Sequence, residues 1–347
     1  MKLLYNVIIY TIITGFLVFL LIYEKRIGAK IKEYRVVVSE KISNFFKITE
    51  PEKRKNIRLT VDVVETLTSA IVLVLIIQHF YLGNFVVPTG SMEQTIMPKD
   101  RLLGDMVSYR LFTKPKRGDI IVFKEPSENK QLYTKRLIGL PGDKIKIAED
   151  GTLYVNGKSV KEGKLNREYS QRGFMGDKEW VVPKKGDVVQ VIGAQIITDN
   201  SEDVKQVDIE TLQSMIAKSD EKVKEATLIN YARFLLNGKY ETGPILDFKY
   251  DEKMRDALIH GQKVVLTEDF YMALGDNTNN SFDSRYWGFV SEERLKGKPI
   301  FRFWPIFRKI DVDTGKYVEK DNTGKYVDGN GNIAKRTKLK FNIGVLH

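Results

Sequence analysis

The run Ala70-Ile-Val-Leu-Val-Leu-Ile-Ile77 gives way, a few residues later, to Phe85-Val-Val-Pro88-Thr89-Gly90-Ser91-Met92. Before that junction the chain is apolar over a length that suits a membrane-spanning helix. After it the helical period is lost and short, turn-bounded β-type runs begin.

Upstream, a second apolar segment runs from Leu3 to about Tyr23 without a charged residue. That is about 20 residues, enough for a helix to cross roughly 30 Å of hydrocarbon. A cleavable leader would end at small residues, and Leu21-Ile-Tyr-Glu-Lys-Arg26 offers none, which favours a permanent anchor. The segment from about Val61 to Val87 is less uniform. Asp62 and Glu65 sit at its start, and Thr66–Gln78 is uncharged but holds Thr66, Thr68, Ser69 and Gln78. A buried helix of a soluble domain therefore competes with a span there. Between the two, residues 24–58 carry eleven Lys/Arg against five Glu, and 11 − 5 = +6 is more than half of the chain's formal +11. Segments of this kind are retained on the cytoplasmic face and drawn to anionic lipid. The expected plan is a first transmembrane helix over 1–23, a basic cytoplasmic loop over 24–60, a second transmembrane helix over 61–87, and an extracytoplasmic domain over 88–347. The same clustering argues against nucleic acid as the partner of the basic charge.

In the C-terminal part, Asp119-Ile-Ile-Val-Phe-Lys124, Lys144-Ile-Lys-Ile147, Thr152-Leu-Tyr-Val155, Val188-Val-Gln-Val191, Lys263-Val-Val-Leu266 and Pro299-Ile-Phe-Arg-Phe303 read as strands. Lys116-Arg-Gly-Asp119 and Lys184-Lys-Gly-Asp187 look alike, each a turn that launches a strand. Apolar positions from Ile209 through Leu212, Val223, Ile229 and Phe234/Leu235 suggest amphipathic helices over 208–239, a helical insertion in a mostly β domain. Thr-Gly-Lys-Tyr-Val occurs at both 314–318 and 323–327, which reads as a polar hairpin or a mobile loop.

The absence of cysteine removes disulfides and thiolate zinc sites. Only His79, His260 and His347 are present, without a His-Glu-x-x-His pattern, so a histidine-ligated zinc peptidase is disfavoured. A Ser-His-Asp triad would have to use His260, around which nothing supports it. Asp311-Val-Asp-Thr-Gly315 and Asp328-Gly-Asn-Gly-Asn332 lack the final glutamate of a calcium loop. No metal or cofactor is implied. What remains is a serine with a base other than histidine.

Ser91 follows the second apolar segment directly. Next come Gly104-Asp105, Tyr133-Thr-Lys135-Arg136-Leu-Ile-Gly139-Leu-Pro141-Gly142-Asp143, and Met272-Ala-Leu-Gly275-Asp276-Asn277-Thr278-Asn279-Asn280-Ser281-Phe282-Asp283-Ser284-Arg285-Tyr286-Trp287-Gly288. In this order and membrane setting the blocks resemble the bacterial type I signal peptidases, a Ser-Lys family that removes signal peptides from exported proteins. The final Asn342-Ile-Gly-Val-Leu-His347 resembles the end of Gram-negative members. Nothing is recognisable in the insertion at about 160–262 or the tail at about 308–337.

The resemblance implies a mostly β, antiparallel catalytic domain with a helical insertion, behind two transmembrane helices. It implies Ser91 as nucleophile and Lys135 as general base, a lysine that burial must keep neutral. The Ser91 N–H and the Thr89 hydroxyl would form the oxyanion hole, and Ser281 would hydrogen-bond and orient Lys135. Asp283 and Arg285 would form an ion pair in the wall of the site. Val87 and Ile96 would line shallow pockets for small residues, hence cleavage after an Ala-x-Ala type of site. Signal peptides and membrane lipid are the implied partners, and the inner membrane, with the catalytic domain on its periplasmic face, the implied location. Oligomeric state is left open. The sequence departs from the family at Gln94, where proline is usual, and at Thr278-Asn279, where Arg-Asp is usual. A catalytically inactive tethered scaffold is the alternative. Intact Ser91, Lys135 and Ser281 speak against it. A Ser-Lys self-cleaving regulator would bring a DNA-binding module, which is not seen. Trp304, Phe307, Phe301 and Phe303 read as strand core or as interfacial aromatics.

Overall fold

The uncharged first segment folds as helix α1 (Lys2–Ile22), and its hydrogen bonding continues without a break into α2 (Glu24–Phe45) through Ile27 N–H to Tyr23 O at 2.9 Å. This computed structural model describes residues 2–160, 165, 167–197, 204–217, 231–329 and 331–346. The basic segment expected as a loop is thus largely helical. Its Lys, Arg and Glu are good helix formers and its short interruption, Phe46 to Glu50, is closed by Arg54, which donates to Ile48 O at 2.8 Å and Asn44 Oδ1 at 3.0 Å.

Helix α3 (Pro51–Phe80) opens with proline at its first position, where the missing N–H costs nothing. Asp62 and Glu65, which sat awkwardly at the head of an apolar segment, both pair with Arg35 of α2. At 30 residues α3 is about 45 Å long, more than the hydrocarbon thickness of a bilayer. Helices α1 and α3 are each long and apolar enough to cross a membrane, and α3 buries none of its residues. That is unlike a core helix of a soluble domain. The helix stops at Phe80 rather than near 87, and Leu82–Val86 is strand β1.

Residues 84–104 and 114–347 form a compact unit distinct from the helical one. Its main sheet runs in the order β1, β2 (Arg101–Asp105), Leu295–Trp304, β3 (Ile120–Lys124), β4 (Leu132–Gly139), Phe270–Leu274 and Val290–Ser291, with Gly344–Val345 added onto Leu295–Trp304. The β3, β4 and Phe270–Leu274 pairings are antiparallel, Ile121 facing Lys135 and Leu274 facing Arg136. Ile120 to Phe123 and Phe270 to Leu274 are buried at every position, the pattern of strands covered on both faces. The look-alike turns are alike in fact: Lys116 N–H and Lys184 N–H each donate to the aspartate three residues on, with Gly118 and Gly186 at φ +87° and +89°.

Lys144–Ile147, Leu153–Val155 and Lys158–Ser159, ahead of the insertion, form a four-stranded sheet with Trp180–Val181 from within it, and the insertion supplies most of a five-stranded sheet built on Val188–Ile197. Among the described residues the α-helices of the insertion are Ile209–Ala217 and Glu252–Ile259. The expectation of helix is met at 209–217, and residues 218–230 lie outside the described ones. At 232–236 it fails, because Ala232, Phe234 and Leu236 alternate inward as a strand against Val188–Ile197. The repeat near the C-terminus forms a hairpin, Glu319–Lys320 with Tyr326–Val327, carried beyond the pair Phe307–Asp311 and Thr337–Phe341. Trp304 and Phe307 are 51% and 56% exposed, so neither is strand core.

Candidate active site

Strand β1 ends at Val86, and Gly90–Met92 forms a single tight helical turn after the extended Thr89. The first N–H groups of such a turn have no partner within it, so the Ser91 N–H is a donor left over by the local geometry. Two carbonyls of the turn are held by the opposite block: Asn277 N–H donates to Ser91 O and Asn277 Nδ2 to Gly90 O, each at 3.0 Å. The Ser91 hydroxyl, nearly buried, lies 3.4 Å from the Thr89 hydroxyl.

Ser91, Thr89, Gly90 and Val87 line one wall of a cleft of about 260 Å³; Tyr133, Thr134 and Lys135 of β4 line the other, and Asn280 and Phe282 close it. A cleft this small suits small side chains. Ile96, expected beside Val87 in a pocket wall, is instead fully buried in a cluster with Val87, Met92, Leu102 and Ile120. It supports the wall from behind and is absent from the described cleft lining.

Lys135 is 4% exposed. Loss of water pushes its pKa from 10.5 down to about 8; the Asp283 carboxylate pulls it up and the Arg285 guanidinium pushes it down. A displacement of that size corresponds to about 3 kcal/mol. The lysine therefore holds a substantial neutral fraction at mildly alkaline pH, which a general base needs.

Ser281 falls in the same place, although not in the bond expected of it. Its Oγ is buried and has no hydrogen-bond partner. Its position is fixed by Gly275, where a Cβ would stand 2.1 Å from Ser281 Oγ and 2.5 Å from Ser91 O. Glycine is the residue that lets the serine turn and the Ser281 loop meet. Asp283 and Arg285 form the expected ion pair, fully buried and two-pronged at 2.8 and 2.9 Å. Asp283 also accepts from Gly275 N–H at 3.0 Å, and Arg285 donates to Thr278 O at 2.7 Å. Thr278 and Asn279 contribute backbone carbonyls here, Asn279 O accepting from Arg172. Their departure from the usual pair of side chains leaves these contacts intact.

Some residues of the site were missed in the sequence. Asp276 receives both prongs of Arg136 at 2.8 and 2.7 Å, Arg167 at 3.0 Å and the Thr95 hydroxyl at 2.5 Å. Ser170 O accepts from Arg285 at 3.2 Å, and a Cβ on Gly173 would stand 2.4 Å from Arg285 O. Arg167, Ser170 and Gly173 belong to the unrecognised insertion and carry no local motif. Asp276 and Arg136 were legible as members of the blocks but not as partners.

A family model described as signal peptidase, peptidase S26, matches residues 60–304. The signal peptidase I of Buchnera aphidicola subsp. Schizaphis graminum is 33% identical over 68% of this chain and 72% of its own. The signal peptidase I of Buchnera aphidicola subsp. Baizongia pistaciae is 29% identical over 72% and 79%, and a probable signal peptidase I-2 of Synechocystis 28% identical over 70% and 73%. The chain belongs to the signal peptidase family, enzymes that cleave signal peptides, and its two apolar helices accord with membrane association.

Proposed function

We propose that the chain cleaves the signal peptides of exported preproteins after small residues of Ala-x-Ala type, with Ser91 as nucleophile and neutral Lys135 as general base. The observation that carries this reading is the shared cleft: a serine at a leftover N–H faces a buried lysine whose pKa falls to about 8.

Lys135 takes the Ser91 proton as the oxygen attacks the scissile carbonyl, giving a tetrahedral oxyanion. The Ser91 N–H and Thr89 hydroxyl donate to that oxyanion. Its collapse releases the amine of the mature protein, protonated by Lys135, and leaves an ester on Ser91. Water, deprotonated by Lys135, then frees the signal peptide. Ser281 accepts or donates to Lys135 once substrate settles the cleft, which would satisfy its orphaned hydroxyl. Val87 and the small cleft account for small residues before the cut.

The basic segment faces the cytoplasm in this reading, and residues 88–347 lie on the periplasmic side of the inner membrane. Membrane lipid surrounds α1 and α3. Because the chain has no cysteine, single cysteines at 40 and 250 can be labelled in intact cells with an impermeant maleimide; labelling at 250 alone is expected, and the reverse would invert the orientation.

The deciding assay is cleavage of an Ala-x-Ala preprotein in detergent by wild type, Ser91→Ala and Lys135→Met. Cleavage after the last alanine by wild type alone is the expected result. A well-folded but inert wild type would favour the tethered scaffold, and activity in Ser91→Ala would remove Ser91 as nucleophile.

A further inference from the structure

The residues that follow the nucleophile, 93–100, are held from two sides. One side is the site itself, through Thr95 and Asp276. The other is the C-terminal region. Arg302 donates to Thr95 O at 3.1 Å, Arg308 donates to Pro98 O, and fully buried Asp100 binds Arg308 and Asn342 while accepting Met97 N–H at 2.9 Å. These contacts come from Leu295–Trp304, from Phe307–Asp311 and from the segment just after Phe341. The extension 312–336 adds its own.

Tyr317 N–H donates to Gln94 Oε1 at 2.8 Å, and the Tyr317 side chain is buried with Met97 and Ile310. Gly329 lies against Glu93 so closely that a Cβ there would stand 1.6 Å from Glu93 Oε2. Glu93 in turn backs the serine turn, because a Cβ on Gly90 would stand 2.5 Å from Glu93 Oε1. Burial and the Glu319 and Asp328 carboxylates hold the Glu93 carboxyl above its usual range, against the pull of Arg308. A continuous stack therefore runs from the extension through Glu93 and Gln94 to Gly90 and Ser91. None of the described cleft-lining residues comes from 312–336.

We propose that the extension 312–336 is a strut that fixes the turn bearing Ser91, with Gln94 as the positioning residue through which it acts. This rests on the reading of Ser91 as nucleophile. A strut that touches the turn and not the cleft acts on the chemical step and leaves substrate affinity alone.

Asp311 and Thr337 face each other in register, so residues 312–336 can be replaced by an Asn-Gly hairpin turn. The shortened chain is expected to cleave a preprotein with kcat reduced tenfold or more and KM within twofold of wild type. Gln94→Ala should reproduce part of that loss, and Gln94→Glu, which keeps an acceptor oxygen, should retain activity. Gln94→Pro placed in the shortened chain should recover part of kcat, because proline restricts the backbone that the strut held. Unchanged kcat with only a lower melting temperature would overturn the proposal, as would a raised KM at unchanged kcat. Should the shortened chain fail to fold, Gln94→Ala and Gln94→Glu in the full chain decide it. Activity in full-length Ser91→Ala would instead sink the nucleophile assignment, a result separable from all of these.

Discussion

Lys135 and Arg136 are neighbours on β4, both almost wholly buried, and the fold treats them in opposite ways. Alternation along the strand sends them to opposite faces. Arg136 meets Asp276 through two prongs, donates a third bond to Gly118 O at 2.7 Å, and shares its partner with Arg167 and Thr95. Lys135 faces the cleft, with the Tyr133 ring centroid 5.6 Å from Nζ, and loss of water is the largest influence on it. A guanidinium cannot shed its proton, so burial demands a carboxylate; an ammonium can, so burial without a close carboxylate yields a base. One strand thus buries a permanent cation held by a carboxylate and a titratable one that the proposed mechanism uses as its base.

The most severe way to break this contrast is to make both positions permanent cations. Lys135→Arg should lower kcat/KM by about 10⁴-fold or more, since no proton acceptor remains, and should destabilise the fold through an unpaired buried charge. Lys135→Met should lose the same activity without losing stability. If Lys135→Arg kept a tenth of wild-type cleavage, Lys135 would not be the base.

The opposite face is tested by stranding its cation. Asp276→Ala leaves Arg136 buried with its carboxylate gone, at an expected cost of about 3–5 kcal/mol in urea unfolding. A cost below about 1 kcal/mol would mean that water or Gly118 O satisfies Arg136 unaided.

A third test turns the lysine's burial into stability. The unfolded chain takes up this proton near 10.5, whereas the folded protein accepts it only near 8. Stability therefore falls as pH drops from 10.5 to 8, and below 8 the deficit is constant at about 3 kcal/mol. Lys135→Met should exceed wild type by about that amount at pH 7, and the gap should close by pH 11. A gap that does not change with pH would show that packing, not charge, separates the two proteins.

How much of this contrast was legible beforehand follows its chemistry. Ser91, Lys135, Ser281, Asp283 and Arg285 stood out because a serine, a lysine and a polar loop in that order carry a specific resemblance, and the structure gathers them around one site. The β-type runs and the two apolar helices were legible from period and length, and the antiparallel arrangement only from the resemblance. The rest depends on contacts between residues far apart in the chain, which leave no local period. Arg167 reaches Asp276 across 109 positions, and Tyr317 reaches Gln94 across 223. Ile96 read as a pocket residue because it is apolar and near Ser91, yet the turn sends it behind the wall. Phe234 and Leu235 fitted a helical spacing only because five residues are too few to separate the two periods.

The smallest expected effect addresses whether the Asp283–Arg285 pair belongs with Arg136 or with Lys135, the proposed base. As pure architecture, the pair would cost stability when changed and leave the titration of Lys135 alone. Both groups act on that lysine, however, Asp283 raising its pKa more than Arg285 lowers it. Asp283→Asn removes the larger influence and leaves the opposing cation, so the alkaline rise of kcat/KM should move to lower pH by a fraction of a unit. The double variant Asp283→Asn with Arg285→Gln removes both charges while keeping amide groups for the hydrogen bonds to Gly275 N–H and Thr278 O. Its rise should move in the same direction by less. A rise unmoved in both variants, alongside a clear loss of stability, would place the pair with Arg136 as architecture alone. The graded shift would instead show that the wall of the site also sets the pH at which Lys135 becomes a base.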